Sequence, residues 1–255
     1  MRKTTVALFV ACTASMLACG GGGTTTVGSG ATTTTTAVPV TTTAAVTTTT
    51  RATGATTTVA GCAAGALPAG ATDVTSAAGN FDGDGKPDTL QAYKTAGVWH
   101  LRTQLTAGGN TDAALPEVAA TETVKALGGF NIDANLVDEA FATVGSGAYT
   151  TLVGIWQAAG CTLTRLTIKA ERATFPVGAS VRNRAGLRCV AGTAVQGLEA
   201  QSNADGTVFT GSIGNYDVVG TALVLANSSP PQTFGASDPA GLAYGQLTCG
   251  SLKLG

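Results

Sequence analysis

A short acidic segment between Asn80 and Asp88 carries side chains suited to binding a metal ion. It reads Asn-Phe-Asp-Gly-Asp-Gly-Lys-Pro-Asp, which puts oxygen-bearing side chains at its positions 1, 3, 5 and 9 and a glycine at position 6. Oxygens on alternate residues of a tightly wound loop converge on one point, the glycine permits the sharp turn, and the backbone carbonyl of position 7 adds a ligand. The candidate ligands are Asn80, Asp82, Asp84, Lys86 and Asp88.

The chemistry of these ligands favours calcium. Mg²⁺ tends to keep its waters, and zinc prefers His or Cys ligands, which this segment lacks. Three carboxylates (−3) and one lysine (+1) give the loop a charge of −2, which favours a divalent ion. Because one ligand is an amide and extracellular modules bind weakly, we expect one Ca²⁺ with a dissociation constant on the order of 10⁻⁴ M. The alternative is an Asp- and Gly-rich turn that holds no ion.

A second copy of the pattern lies 51 residues further along, from Asn131 to Glu139. Leu136 stands where the first loop has its turn glycine, and Asn135 replaces an aspartate. The sequence therefore predicts a loop of the same shape that binds no ion. A third and weaker copy is expected near Arg188–Gly192, where the ligands are missing.

The string N-F-D-G-D-G-K-P-D-T-L resembles the calcium loop of FG-GAP/VCBS-type repeats, the units of integrin-like β-propellers, although Asn80 replaces the usual first aspartate. In those repeats the loop leads into a strand, and Thr89–Tyr93 alternates as a strand does. The resemblance implies blade-like units of about 50 residues, and three units are fewer than a closed propeller needs. We therefore expect an all-β domain forming a partial or distorted β-propeller of about three blade-like repeats.

Four cysteines fall in the expected domain: Cys62, Cys161, Cys189 and Cys249. An even number in an exported chain, without a CxxC or Cys/His cluster for zinc, predicts two disulfides. Four cysteines allow three pairings, and the sequence alone does not choose among them. We expect Cys62 to pair with Cys249, fastening the ends of the domain, and Cys161 to pair with Cys189.

The N-terminal region has the features of a bacterial lipoprotein signal. Two basic residues precede an apolar run over residues 6–18, which is typical of a signal peptide and too short for a membrane-spanning helix. The following Leu17-Ala18-Cys19 resembles a lipobox, although Met16 stands where leucine is usual. The sequence thus predicts a signal peptide over 1–18 and a lipidated Cys19. An ordinary cleavage site before Cys19 is the alternative.

A threonine-rich segment separates this signal from the domain expected over 62–255. Residues 24–59 contain 19 Thr and a single charge, at Arg51. Such a segment cannot bury enough apolar surface to offset the entropy of ordering, so we expect 19–61 to be a disordered tether.

Short alternating stretches within the domain predict strands, and residues 113–127 are the best helix candidate. In Val98–Leu105 the only histidine, His100, is expected on the solvent face. Further strands are expected at Ala140–Val144, Thr150–Trp156, Cys161–Lys169, Gly206–Gly211 and Thr221–Leu225.

Charge and motifs limit the function. With 14 Lys and Arg against 15 Asp and Glu, the chain is no generally basic nucleic-acid binder. Residues 165–188 carry six bases and one acid, which indicates either a face for an anionic glycan or scattered solvated arginines.

No catalytic motif such as G-x-S-x-G or HExxH is present, so we do not expect an enzyme. The leading hypothesis is a lipid-anchored envelope protein, attached to the membrane, whose calcium-stabilised β-domain is a structural module or binds an envelope glycan or protein. The alternative is a lipid-anchored hydrolase that uses a carboxylate site at Asp138-Glu139 or Asp217.

Overall fold

The computed structural model describes residues 62–254, and this part of the chain is built almost entirely of β-strands. Its helical segments are the short helix α1 (Pro239–Leu242) and a 3-10 turn over Ala243–Gly245. Within residues 62–254 no helix is long and apolar enough to cross a bilayer. The strands are β1 (Thr72–Gly79), β2 (Asp88–Thr95), β3 (Val98–Gln104), β4 (Asn110–Leu115), β5 (Ala126–Phe130), β6 (Glu139–Ser146), β7 (Thr150–Ala159), β8 (Thr162–Arg165), β9 (Thr167–Ile168), β10 (Glu171–Arg172), β11 (Thr174–Ala179), β12 (Asn183–Val190), β13 (Ala194–Ser202), β14 (Val208–Val219), β15 (Ala222–Ser228), β16 (Gln232–Gly235) and β17 (Leu247–Thr248).

The first eight strands form two antiparallel units of four. Strands β1 to β4 pair in sequence order, and strands β5 to β8 do the same. In the first unit Gly79 pairs with Asp88, and in the second Phe130 pairs with Glu139, which is the same pair displaced by 51 residues. The spacing found in the sequence is therefore also the spacing of the structural units.

The remaining strands form a third region with a different plan. Strands β11 to β14 pair in order, and β15 and β16 pair with different parts of the long strand β14. The third loop expected near Arg188–Gly192 is absent from this region, because a tight turn at Gly192 joins β12 directly to β13.

Pairings between the regions join all of these strands. Strand β8 lies parallel to β4, β11 pairs with β7, and β15 contacts β9. The predicted all-β class is confirmed, and the strands form one large sheet that is not closed.

Two hydrophobic cores lie on either side of the second unit. The first core packs one face of this unit against the first unit, and the second core packs its other face against the third region. The faces of β6 alternate between them: Ala140 and Ala142 belong to the first core and Phe141 to the second. Full burial of one large apolar side chain contributes about 1.5–3 kcal/mol. Residues of the first core recur 51 positions later in the second, as in the pairs Phe81/Ile132, Leu90/Phe141 and Leu115/Leu166.

The helix expected over residues 113–127 is wrong. The segment ends β4, passes through turns and enters β5 at Ala126. Pro116 follows the last residue of β4, and the apolar residues Val118 and Val124 are buried in the first core. Burial of Val118 and Val124 in the core therefore explains the spacing of apolar residues that suggests a helix.

Four of the five further strand predictions are confirmed in part or whole, and the stretch Cys161–Lys169 is divided into β8 and β9.

The four cysteines form two disulfides, but the expected pairing is wrong. The bridges join Cys62 to Cys161 and Cys189 to Cys249, with Cα separations of 5.2 and 4.6 Å. Strand β17 lies parallel to β12, with Thr248 beside Arg188, so the sheet places Cys249 next to Cys189. The two ends of the domain are each fastened to an interior strand region instead of to each other.

Candidate metal centre

The loop from Asn80 to Asp88, here called loop 1, connects β1 to β2 and is shaped by its own polar side chains. Each of its first three oxygen-bearing side chains accepts a hydrogen bond from a backbone N–H two or three residues later, which is how Asn and Asp stabilise turns. These bonds run from Gly83 N to Asn80 Oδ1 (3.1 Å), from Asp84 N to Asp82 Oδ1 (3.0 Å) and from Lys86 N to Asp84 Oδ1 (2.7 Å).

Asp88 closes the base of loop 1. Its Oδ2 accepts from Phe81 N at 2.8 Å and its Oδ1 accepts from Thr106 N at 2.7 Å. The residue is only 2% exposed. Both oxygens of this predicted ligand are thus held by backbone donors, so Asp88 fixes the two ends of the loop together.

The segment from Asn131 to Glu139, here called loop 2, repeats this hydrogen bonding. Four of the five side-chain hydrogen bonds within loop 1 have counterparts displaced by 51 residues. The counterparts run from Ala134 N to Asn131 Oδ1 (2.9 Å), Asn135 N to Asp133 Oδ1 (3.1 Å), Val137 N to Asn135 Oδ1 (2.8 Å) and Ile132 N to Glu139 Oε2 (2.9 Å). The predicted common shape of the two loops is confirmed.

Loop 2 keeps this shape without the glycines. Gly83 and Gly85 have φ of 76° and 81°, and their counterparts Ala134 and Leu136 have φ of 63° and 74°. A residue with a Cβ in this left-handed region costs roughly 1–2 kcal/mol. Hydrogen bonds and the buried base of the loop therefore hold the shape where glycine is absent.

The two loops lie against each other, and Asn80 joins them. Asn80 N donates to Asp138 Oδ2 (2.8 Å), and Asp138 N donates to Asn80 O (2.7 Å). The side-chain amide of Asn80 donates to the carbonyl of Leu136 (3.2 Å). An aspartate at position 80 could not donate this last bond, so the contact depends on the asparagine side chain.

Loop 1 concentrates negative charge. Burial raises the pKa of Asp82 above its ordinary value, and the neighbouring carboxylates of Asp88 and Asp84 raise it further. Among the described residues, the basic side chain paired with them is that of Lys86, whose Nζ lies 3.6 Å from Asp84 Oδ2 and which is 65% exposed. An exposed pair of this kind contributes little, so a divalent cation can displace the ammonium at small cost.

The base of loop 2 differs from that of loop 1 in one respect. Glu139 is fully buried, and its Oε1 has no hydrogen-bond partner in the described part of the chain. Burial therefore raises the pKa of Glu139 to about 8, and the charges of Asp133 and Asp138 act in the same direction. Loop 2 is thus built around a carboxyl group that favours its neutral form.

The donors of loop 1 match calcium in type. The outer carboxylate oxygens of Asp82 and Asp84, the Asn80 amide oxygen and the Lys86 carbonyl are hard oxygen ligands. Within residues 62–254, no three His, Cys, Asp or Glu side chains already converge as a metal site. A cation bound here would compete with Lys86 for the Asp84 carboxylate and could take its remaining ligands from main-chain oxygen and water.

The remaining residues for which the sequence suggests a function lie in different parts of the chain. Cys19, the signal peptide and the tether lie outside the described residues. His100 stacks on Tyr93, with ring centroids 5.0 Å apart, and its Nδ1 lies 3.2 Å from Asp112 Oδ1. Among the carboxylates considered for hydrolysis, Asp138 and Glu139 bind backbone N–H groups of the two loops, and Asp217 is exposed on β14.

The basic stretch over residues 165–188 contains arginines with internal roles that its composition does not reveal. Arg165 Nη1 donates to Glu117 Oε1 at 2.8 Å. Arg184 lies over the ring of Phe209, 4.2 Å from its centroid, and donates to the carbonyl of Ala236. These two arginines hold elements together and do not contribute to a free basic face.

No protein family, curated protein or solved structure matches this chain, so its function must be inferred from the chemistry of its own loops and sheets.

Proposed function

We propose that this chain is a surface-tethered bacterial lipoprotein whose β-domain is stabilised by one calcium ion and acts as a binding or structural module at the cell envelope. The observation that supports it most is loop 1, where three acidic side chains recur at the spacing of a calcium loop and the basic side chain paired with them, among the described residues, is that of the exposed Lys86. Loop 2 has the same backbone shape but carries acids at only two of the matching ligand positions, Asp133 and Glu139, and we propose that it holds no ion.

Calcium in loop 1 would act on the contact between the first two units. Asn80, Asp82, Asp84 and the Lys86 carbonyl would hold the ion, while Asp88 secures the base of the loop. Because Asn80 also bonds to loop 2, ordering of loop 1 stiffens that contact. At ten times the dissociation constant, binding to the folded state alone adds about 1.4 kcal/mol of stability.

We interpret the two repeated units as blade-like elements of a partial propeller. The second unit packs one face on the first unit and the other face on the third region, as a blade packs between neighbours. The third region has its own strand order, so the proposed array contains two similar blades and one divergent one.

The acidic side chain that lines the groove of the third region fits a binding role better than hydrolysis. Hydrolysis of glycosides generally requires two carboxylates facing one cleft. Among the described residues, the groove over β12, β13 and β14 is lined by a single acidic side chain, Glu199. That groove lies in the third region, away from the loop residues.

The lipoprotein assignment predicts a covalently modified Cys19. When the full chain is expressed in a bacterial host, the mature protein should be found in the membrane fraction, with an N-terminal peptide that begins at Cys19 and carries acyl groups. Mass spectrometry of that peptide checks the result, and the Cys19→Ser variant is the control, which should lack acyl groups. A mature wild-type chain that is soluble, unacylated or begins at another residue would show that the anchor is wrong.

A further inference from the structure

A groove crosses the exposed sheet face of the third region. Its wider part has a volume of about 470 Å³ over β12, β13 and β14, and it continues into a narrower part of about 200 Å³ towards β15. The two parts share Pro176, Glu199 and Ser212. From Thr210 to Tyr216 the floor extends six residues along β14, or roughly 20 Å. The groove is therefore shaped for an elongated ligand.

The floor of the wider part is a set of polar side chains with no partners. Neighbouring strands pair Gln201 with Thr210, Glu199 with Ser212 and Asn183 with Gln201, so these five side chains share one face of the sheet. None of these side chains hydrogen-bonds to another group within residues 62–254. Together they offer a carboxylate, two amides and two hydroxyls to a ligand.

On the opposite face of the same strands, three polar side chains hydrogen-bond to one another. There Gln196 Nε2 donates to Asn215 Oδ1 at 2.7 Å, and Asn215 Nδ2 donates to Asn227 Oδ1 at 2.7 Å. Three amides on three adjacent strands thus form a ladder on that face. On the groove face, by contrast, the five polar side chains named above make no such bonds to one another.

Tyr216 forms the end of the narrower part. Its ring packs edge-on against Phe175, with centroids 5.8 Å apart, and its hydroxyl hydrogen-bonds to no described residue. A Cβ at Gly197 or Gly214 would lie 3.5 or 3.2 Å from that ring. The two glycines therefore keep the floor low beside an aromatic ring, where a larger side chain would fill the space.

We propose that this groove binds a neutral oligosaccharide of several sugar units. Hydroxyl, amide and single carboxylate groups can exchange hydrogen bonds with sugar hydroxyls, and a tyrosine ring offers an apolar surface with a polar tip. Among the described residues, the one basic residue that lines the groove is Arg184, whose guanidinium lies over the ring of Phe209 and is bonded to the carbonyl of Ala236. Because Glu199 is negatively charged, the groove does not favour a polyanion. The inference rests on the proposed binding role and specifies the class of ligand.

Isothermal titration of the purified full chain in calcium-containing buffer tests this assignment. The probes are cellohexaose, maltohexaose and chitohexaose, and at least one should bind. Glu199→Ala and Tyr216→Phe should each weaken that binding about fivefold, as expected for one lost hydrogen bond of about 1 kcal/mol. Asp217→Ala removes an exposed carboxylate from the next position of β14, on the other face, and should leave the affinity unchanged.

Binding of none of the three hexasaccharides would overturn the proposal, as would equal affinity in Glu199→Ala, Tyr216→Phe and Asp217→Ala. Binding of an uncharged peptide at the groove in place of all three sugars would also overturn it. Thermal unfolding of each variant with and without calcium identifies any misfolded protein. If calcium still raises the unfolding temperature but none of the sugars binds, the groove assignment is wrong and the proposal of a calcium-stabilised module stands.

Discussion

Replacing Cys189 and Cys249 together with alanine should lower the free energy of unfolding by about 2–5 kcal/mol. The bridge spans 60 residues, so its loss returns considerable freedom to the unfolded chain. Cys249 is also fully buried in the second core, where it packs with residues of the second unit and third region. Urea unfolding of the variant and the wild type measures the difference.

The matched control is the pair Cys62→Ala and Cys161→Ala, which removes the other bridge without touching the second core. It should also destabilise the protein, while leaving the C-terminal segment attached to β12. A non-reducing peptide map must show Cys62 with Cys161 and Cys189 with Cys249. Bridges between other pairs, or unchanged stability in both double variants, would contradict the arrangement of strands described above.

Stability should fall as pH rises from about 4.5 to about 8, and Glu139 should cause much of that fall. Its pKa is raised to about 8 in the folded protein from an ordinary value of 4.5. In this interval the unfolded chain loses the proton that the folded chain retains, so raising the pH favours unfolding. This stabilising contribution is fully present below pH 4.5, is lost as the pH rises to about 8, and is on the order of 5 kcal/mol.

Glu139→Gln keeps the buried group neutral and should remove this part of the pH dependence. The measurement is urea unfolding of both proteins in calcium-free buffer at several pH values between 5 and 8.5. Glu199→Gln makes the same chemical change at an exposed site and should leave the wild-type slope in place. A slope in Glu139→Gln equal to that of the wild type would show that Glu139 is not buried as a neutral acid.

The repeated loop was predictable because its side-chain types recur at a fixed spacing. Asn and Asp bond to backbone groups two or three residues away, so the local sequence contains most of what shapes each loop. For the same reason the strand after each loop, beginning at Asp88 or Glu139, could be anticipated. The common shape survives even at Leu136, where the glycine is missing.

Features that depend on distant contacts were not predictable. The amide of Asn80 bonds to the carbonyl of Leu136, 56 residues away, and nothing near Asn80 indicates that partner. Cysteine pairing likewise depends on which strands become neighbours, since the parallel pairing of β17 with β12 brings Cys249 to Cys189. The groove in the third region draws its polar side chains from three strands with no shared motif.

Calcium titration by calorimetry tests the central claim most directly, using the wild type, Asp84→Ala and Asp133→Ala. The wild type should bind one ion with a dissociation constant on the order of 10⁻⁴ M. Asp84→Ala removes a ligand from loop 1 and should abolish binding, whereas Asp133→Ala makes the equivalent change in loop 2 and should leave it intact. Binding that survives Asp84→Ala, or that disappears with Asp133→Ala, would contradict the assignment of the ion to loop 1.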